Sequence, residues 1–241
     1  MVRVLSNVLL HLCPGHLLTF LPFVPGLVIA AAKDAEITLL GLESWGPDRH
    51  TAIHRAFEAC LECKNMCERM GQINELTLLL LNSAGVLATW CYGDDSFKAW
   101  RLMGDLSTVV LALGFHRGSH DDPTVPAYLI ELRNRAVAVA YELDKSLATF
   151  VGRPPRLQRR YCTLEMPLDL DDAVITGSSE AFEAAKARLD SSGWSWEGVM
   201  HPISRIRASF MLNLIREEIL EMSLGLPSAN LGHEARYVTS Y

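Results

Sequence analysis

Residues 127–155 read AYLIELRNRAVAVAYELDKSLATFVGRPP. Apolar residues recur through this stretch at steps of three and four, the period of one helix face. Gly152-Arg153-Pro154-Pro155 then ends the pattern. Glycine takes the left-handed conformation that closes a helix, and proline cannot continue one. One long amphipathic helix over Ala127–Phe150 is therefore expected, and the chain on either side reads the same way. Upstream, Asp95 or Ser96 starts a helix whose stripe is Phe97, Trp100, Met103, Leu106, Val109, Val110 and Leu113, stopping at Gly114. Before it, Asn74 caps a helix beginning Leu76–Leu81 that ends at the Tyr92-Gly93-Asp94-Asp95 turn. A first helix, with Asp48 as cap, carries Ile53, Phe57, Cys60, Leu61, Cys63 and Cys67 to about Met70.

A polar turn, Ser119-His120-Asp121-Asp122-Pro123, leads into the quoted helix. After it, residues 156–177 read mostly as loop, Glu180–Leu189 as a helix begun by Ser178 or Ser179, and Trp194–Leu224 as one long helix bent near Pro202. No segment shows strand alternation between hairpin turns, and no repeat appears. The fold class is all-α: an irregular multi-helix bundle of six or more helices joined by short loops. Residues 48–177 form its core, 178–241 a helical continuation, and 1–47 an apolar N-terminal segment of the same domain.

The 241 residues are 49% hydrophobic and 21% charged, which excludes a disordered or fibrous chain. The formal charge of −6 argues against a protein that binds nucleic acid through its whole surface. Six cysteines are too few for a disulfide scaffold, so reduced thiols are expected. Val4–Ala32 contains no Asp, Glu, Lys or Arg. Pro14-Gly15, Pro22, Pro25-Gly26 and two histidines cut it into pieces suited to short buried helices. A signal peptide closing at Ala30-Ala31-Ala32 and a membrane anchor are the alternatives.

Candidate chemistry is sparse. His50 and His54 share a helix face, but Thr51 stands where a zinc protease needs Glu. Cys60, Cys63 and Cys67 lie on one helix face, where packing is favoured over a tetrahedral metal site. Leu42-Glu43-Ser44-Trp45-Gly46 lacks the first glycine of a nucleophile elbow. Asp169, Asp171 and Asp172 read as solvated loop charge, without the glycine and glutamate of a calcium hand. No catalytic constellation is assembled. Glu131 and Arg135 can pair at i,i+4 on the helix surface. Asp144 lies among Leu143, Leu147 and Ala148, where a carboxylate needs a partner or water. Arg153 or Arg117 is the partner expected. Arg153, Arg156, Arg159 and Arg160 form one basic cluster, either a phosphate or import contact patch or a solvated loop balanced by the 169–172 acids.

Taken in order, these segments resemble the middle regulatory domain of fungal zinc-cluster transcription factors. Ala99-Trp100-Arg101-Leu102-Met103-Gly104 is similar to the family's Trp-x-x-x-Gly helix start, and Leu113-Gly114-Phe115-His116-Arg117 to its Leu-Gly-Leu-His-Arg helix end. Glu131-Leu132-Arg133-Asn134-Arg135, followed by Asp144-Lys145, resembles its Glu-x-Arg-Arg-Arg…Asp-Arg helix. Gly152-Arg153-Pro154-Pro155 resembles its Gly-Arg-Pro turn, and Met166-Pro167-Leu168-Asp169 the Leu-Pro loop after it. Order and spacing from Arg55 to about Asp172 make the likeness specific. Val137 and Ala138 replace the aromatics the family often carries after the arginines, which points to a smaller packing contact. The family's cluster begins Cys-x2-Cys-x6-Cys among basic residues, whereas Cys60, Cys63 and Cys67 follow Cys-x2-Cys-x3-Cys.

The resemblance implies a non-catalytic nuclear domain that modulates RNA polymerase II transcription. It implies that DNA contact and zinc belong to a module missing from this chain, which itself needs no cofactor. The partners implied are transcriptional co-regulators or the full-length factor, with a small-molecule effector as a further ligand and no membrane. Trp100, Gly104, Gly114, His116, Arg117, Glu131, Arg133, Arg135, Asp144, Gly152, Arg153 and Pro154 are its structural motif residues. In that setting Arg153 and Asp144 are expected to pair and hold the fold. Two alternatives stand outside the resemblance: a helical enzyme whose site is scattered, with pH-dependent activity traceable to His116 or His120, and a secreted or anchored protein using residues 4–32.

Overall fold

The computed structural model describes residues 49–225, apart from Gln72, residues 119–124, Leu164, Thr176 and Glu197. The apolar 4–32 segment, the Asp48 cap, the Ser119–Pro123 turn and the residues after Gly225 lie outside the described residues.

Among the described residues the chain forms α1 (Arg49–Arg69), α2 (Glu75–Tyr92), α3 (Phe97–Ala112), α4 (Ala127–Val151), α5 (Asp172–Ile175), α6 (Ser179–Lys186) and α7 (Pro202–Leu224). No strand joins them, only a single antiparallel bridge between Leu189 and Ser195. The fold is all-α, as the periodicity predicts.

Local chemistry explains where these helices begin and end. The Asn74 side chain accepts from the Leu76 and Thr77 amides, and Thr77 returns the contact to the Asn74 amide, so α2 opens on a reciprocal cap. Ser96 accepts from the Lys98 amide at the start of α3, and Ser178 from the Ala181 amide at the start of α6. Gly152 closes α4 at φ +60 with its amide on the Ala148 carbonyl, so the expected left-handed stop is present.

α2 is the axis of the core. Leu76 through Gly85, Leu87 and Ala88 are all buried, which leaves little of this helix for water. α1 packs on one side of it through Ala52, Ala56, Phe57 and Cys60, and α3 on another through Ala99, Met103, Leu106 and Val110. Full burial of a side chain such as Phe57 is worth about 2–3 kcal/mol. α4 crosses α2 closely at Gly85, where an added Cβ would stand 2.5 Å from Leu143 Cδ2. Asn82 Nδ2 donates to the Ala136 carbonyl at 2.8 Å beside that crossing. α7 then covers the far side of α4, with the Tyr141 and Phe210 rings 5.2 Å apart. A smaller cluster of Leu170, Ile175 and Phe182 sits under α5 and α6.

One element boundary differs from the sequence reading. Trp194 does not begin a long helix. Gly193 and Gly198 both take positive φ, and the Asp190 amide bonds the Trp194 carbonyl in a tight turn. α7 starts only at Pro202, whose missing N–H is harmless in a first helical turn, where amides have no intrahelical partner. Its opening is capped by the His201 amide donating to Ser204 Oγ at 3.0 Å.

Candidate functional site

Residues 156–170 cross from the end of α4 to α5 with only a 3₁₀ turn at Arg159–Tyr161. Such a stretch, pressed against two helices, carries backbone polar groups that need partners. Buried charged side chains of α4 and α7 supply them.

At one end, Asp144 is buried and accepts the Arg156 amide at 2.9 Å and the Leu157 amide at 2.9 Å. Lys145, fully buried, donates to Asp144 Oδ2 at 2.9 Å and to the Leu157 carbonyl, and lies 3.1 Å from Glu217 Oε2. Glu217, buried on α7, accepts the Arg159 amide at 2.8 Å through its other oxygen. Tyr141 donates its hydroxyl to Glu217. Burial, with that acceptor, pushes the Tyr141 phenol well above its ordinary range, so it remains a donor. Two carboxylates face one ammonium, and the extra negative charge is met by three backbone N–H groups. Isolated charges in such a place would be prohibitive; here each is hydrogen-bonded.

At the other end, Glu131 accepts the Leu168 amide at 3.0 Å and the Arg135 Nε at 2.9 Å. Arg135 continues to the Leu170 carbonyl at 2.8 Å. Burial pushes the Glu131 carboxyl up against the opposing pull of Arg135 and the Leu168 amide. Arg207, fully buried on α7, donates to the Pro167 and Ser192 carbonyls and lies over the Trp194 ring, with Cζ 4.3 Å from its centroid. Burial pulls its guanidinium down. Asp169 accepts Ser204 Oγ at 2.6 Å and the Ser195 amide at 3.2 Å.

Several expectations are corrected here. Asp144 does not pair with Arg153 or Arg117: Lys145 and two amides take its oxygens, and Arg153 turns toward α3. The Glu131–Arg135 pair forms, but Glu131 is inside the protein rather than on the helix surface. Asp169 is not solvated, because it is buried under the first turn of α7. The four arginines do not form one patch balanced by the 169–172 acids. Arg159 and Arg160 pair across exposed surface with Glu218 and Glu221 of α7, at 3.8 and 3.4 Å. Arg153 and Arg156 instead lie over the Trp100 ring, with Cζ 4.5 and 4.2 Å from its centroid.

The remaining motif residues serve as links. Gly104 sits one turn after Trp100, and a Cβ there would come within 3.3 Å of the Arg156 guanidinium. The Trp-x-x-x-Gly pattern is thus the slot that receives Arg156. Gly114 takes φ +74 at the end of α3, and the turn it makes carries Phe115 beneath Arg133, 4.9 Å from its Cζ. Arg133 also pairs with Glu75 at the start of α2. Arg117 is exposed, and its carbonyl accepts Thr163 Oγ1 at 2.7 Å. His116 Nδ1 is buried without a hydrogen-bond partner. Pro154 is exposed beside the buried Pro155. His50, His54 and Tyr92 form an edge-to-face series, with centroids 4.5 and 5.4 Å apart.

Arg207 and Glu217 are the residues the sequence reading passes over, and Lys145 enters it only as the neighbour of Asp144. Their signal is a charge on a core-facing stripe: Arg207 is spaced three and four residues from Phe210 and Ile203, and Glu217 three residues from Leu220.

The family profile described as the fungal specific transcription factor domain matches residues 73–223. The chain belongs to that family. A Zn(2)-C6 fungal-type transcription factor of Macrophomina phaseolina is 26% identical over 136 residues, covering 54% of this chain and 18% of that protein. Transcription factor phm2 of a Pyrenochaetopsis species is 24% identical over 142 residues, 58% of this chain and 18% of its own. The thiamine repressible genes regulatory protein of Schizosaccharomyces pombe is 29% identical over 116 residues, 42% of this chain and 15% of its own. The chain therefore spans less than a fifth of the relatives it matches. No solved structure matches.

The family match spans α2 through α7, from the Asn74 cap to the Glu217 and Glu221 contacts on the 156–170 segment. The cysteines of α1 do not fit the family's zinc cluster. Cys60, Cys63 and Cys67 are spaced Cys-x2-Cys-x3-Cys rather than Cys-x2-Cys-x6-Cys, and burial pushes the Cys60 thiol up to about 12 and raises Cys63 as well. Among the described residues no group of His, Cys, Asp and Glu is placed to hold a metal. No described helix is long and apolar enough to cross a membrane.

Proposed function

We propose that this chain is the regulatory domain of a fungal transcription factor: a non-catalytic helical body that sets how strongly a DNA-bound factor acts on RNA polymerase II. The observation that carries the reading is what the motif charges do. Glu131, Arg135, Asp144 and Arg133 direct their polar atoms at the protein's own backbone and at Glu75, not at a space where a substrate could react. Fungal specific transcription factor domains fit such a role, as a frame that holds one arrangement of helices.

On this reading DNA is contacted through a zinc cluster carried by another segment of the factor, and the working site is the nucleus. The partners are co-regulators or the remainder of the factor, with a small-molecule effector as a further ligand. A tethering experiment tests the reading: the 241-residue chain fused to a heterologous DNA-binding domain at a reporter promoter. The expected result is a change in reporter output relative to the DNA-binding domain alone, lost in Asp144→Ala. Unchanged output with the fusion expressed and nuclear contradicts it.

A further inference from the structure

Four arginines of α4 and the 156–170 connection are answered by an acid. Arg133 has Glu75, Arg135 has Glu131, and Arg159 and Arg160 have Glu218 and Glu221. Arg153 and Arg156 have no carboxylate within ion-pair distance among the described residues, and both are exposed. They are nevertheless gathered together. Each guanidinium lies within 4.5 Å of the same indole centroid, so their centres are at most about 9 Å apart. Two features fix Arg156 there. Asp144 holds the Arg156 amide, which sets where that side chain leaves the backbone. Gly104 leaves the face of α3 bare, so the Arg156 guanidinium can lie against the helix where a Cβ would crowd it at 3.3 Å.

Two exposed guanidiniums held near one ring repel weakly in water, and a shared anion turns that repulsion into attraction. Guanidiniums present paired N–H donors suited to an anion with two or more acceptor oxygens. The indole surface lowers the cost of drawing both cations partly out of water. We propose that Arg153 and Arg156, displayed on Trp100, form a binding site for a multidentate oxyanion, a phosphate- or carboxylate-bearing small ligand. Its use as an effector site rests on the regulatory reading above, whereas the binding itself does not.

The test follows the Trp100 indole N–H signal in ¹H–¹⁵N spectra of the full chain, assigned with Trp100→Phe. Pyrophosphate, citrate and hexaglutamate are titrated in separate series at constant ionic strength. A saturable shift with pyrophosphate or citrate is expected, with affinity reduced at least about tenfold in Arg156→Gln and in Arg153→Gln. Arg159→Gln/Arg160→Gln should leave it unchanged. These variants keep the fold, since Asp144 grips the Arg156 backbone rather than its side chain, and their thermal melts check this. Saturation by hexaglutamate alone would assign the anion to carboxylates of a protein segment and overturn the small-ligand assignment. No saturable shift, wild-type affinity in both single variants, or an equal loss in the Arg159/Arg160 double variant overturns the site. Reporter output from the tethered chain is a separate readout, so failure of binding and failure of the regulatory reading remain distinguishable.

Discussion

Truncating Asp144 to alanine removes the acceptor for two backbone amides in a connection that has almost no secondary structure of its own. The Leu157 amide is buried and has Asp144 Oδ2 at 2.9 Å; the Arg156 amide has both oxygens, at 2.9 and 3.1 Å. Hydrogen bonds to a charged group contribute about 1.5–3 kcal/mol each, and a buried amide left unmade costs about 1–3 kcal/mol. Lys145 is not stranded by the change, because it keeps Glu217 at 3.1 Å and the Leu157 carbonyl. The full penalty for an unpaired buried ammonium therefore does not apply, and the two amides dominate. A loss of about 3–5 kcal/mol follows, a large share of the roughly 5–15 kcal/mol that holds a typical domain. Urea unfolding followed by helical circular dichroism at neutral pH measures it. Arg153→Gln is the internal control: its guanidinium has only an exposed cation–π contact, worth about 0.5–1 kcal/mol. If Asp144→Ala costs less than about 1 kcal/mol, or no more than Arg153→Gln, the backbone-grip reasoning is wrong.

Further outcomes follow from other contacts. Gly85→Val drives a side chain into Leu143, so it should destabilise by about 1–3 kcal/mol in urea, whereas Gly85→Ala should cost less because Leu143 can shift and alanine favours the helix. Burial raises the Glu131 carboxyl above its unfolded value, so the folded chain holds that proton more tightly than the unfolded one. That contribution is complete below the unfolded value and is lost as pH rises through the folded one. Wild type should therefore lose stability relative to Glu131→Gln as pH rises from the ordinary carboxylate range through the raised folded value, read as the difference between two urea series. Cys60 is fully buried with its thiol pushed up to about 12, so iodoacetamide should leave it unmodified in the native chain and label it only on unfolding, as peptide mass mapping would report.

The helices were legible because their signals are local. Asn74, Ser96, Ser178 and Gly152 each act within a few residues of themselves, and each does in the structure what its type and position suggest. α7 was misjudged for a local reason too: Gly193, Gly198 and Pro202 outweigh the apolar residues around Trp194. The candidate site was legible only in part. Motif spacing singled out Glu131, Arg133, Arg135, Asp144 and Arg153, but their partners are set by packing across long separations. Glu75 meets Arg133 58 residues away, Glu217 meets Tyr141 76 residues away, and Ser204 meets Asp169 35 residues away. Opposite charge made Arg153 a reasonable partner for Asp144. The structure gives that place to the adjacent Lys145 and to two backbone amides, and the amides leave no sequence signature.

Buried side chains of α4 and α7 hold the 156–170 connection by its backbone, and amide hydrogen exchange on the full chain reads that grip residue by residue. The Arg156, Leu157, Arg159 and Leu168 amides donate to Asp144, Glu217 and Glu131, so they should be protected nearly as well as core helical amides such as that of Leu80. Exchange of those four amides at the rate of an unstructured chain, while α2 remains protected, would contradict the account.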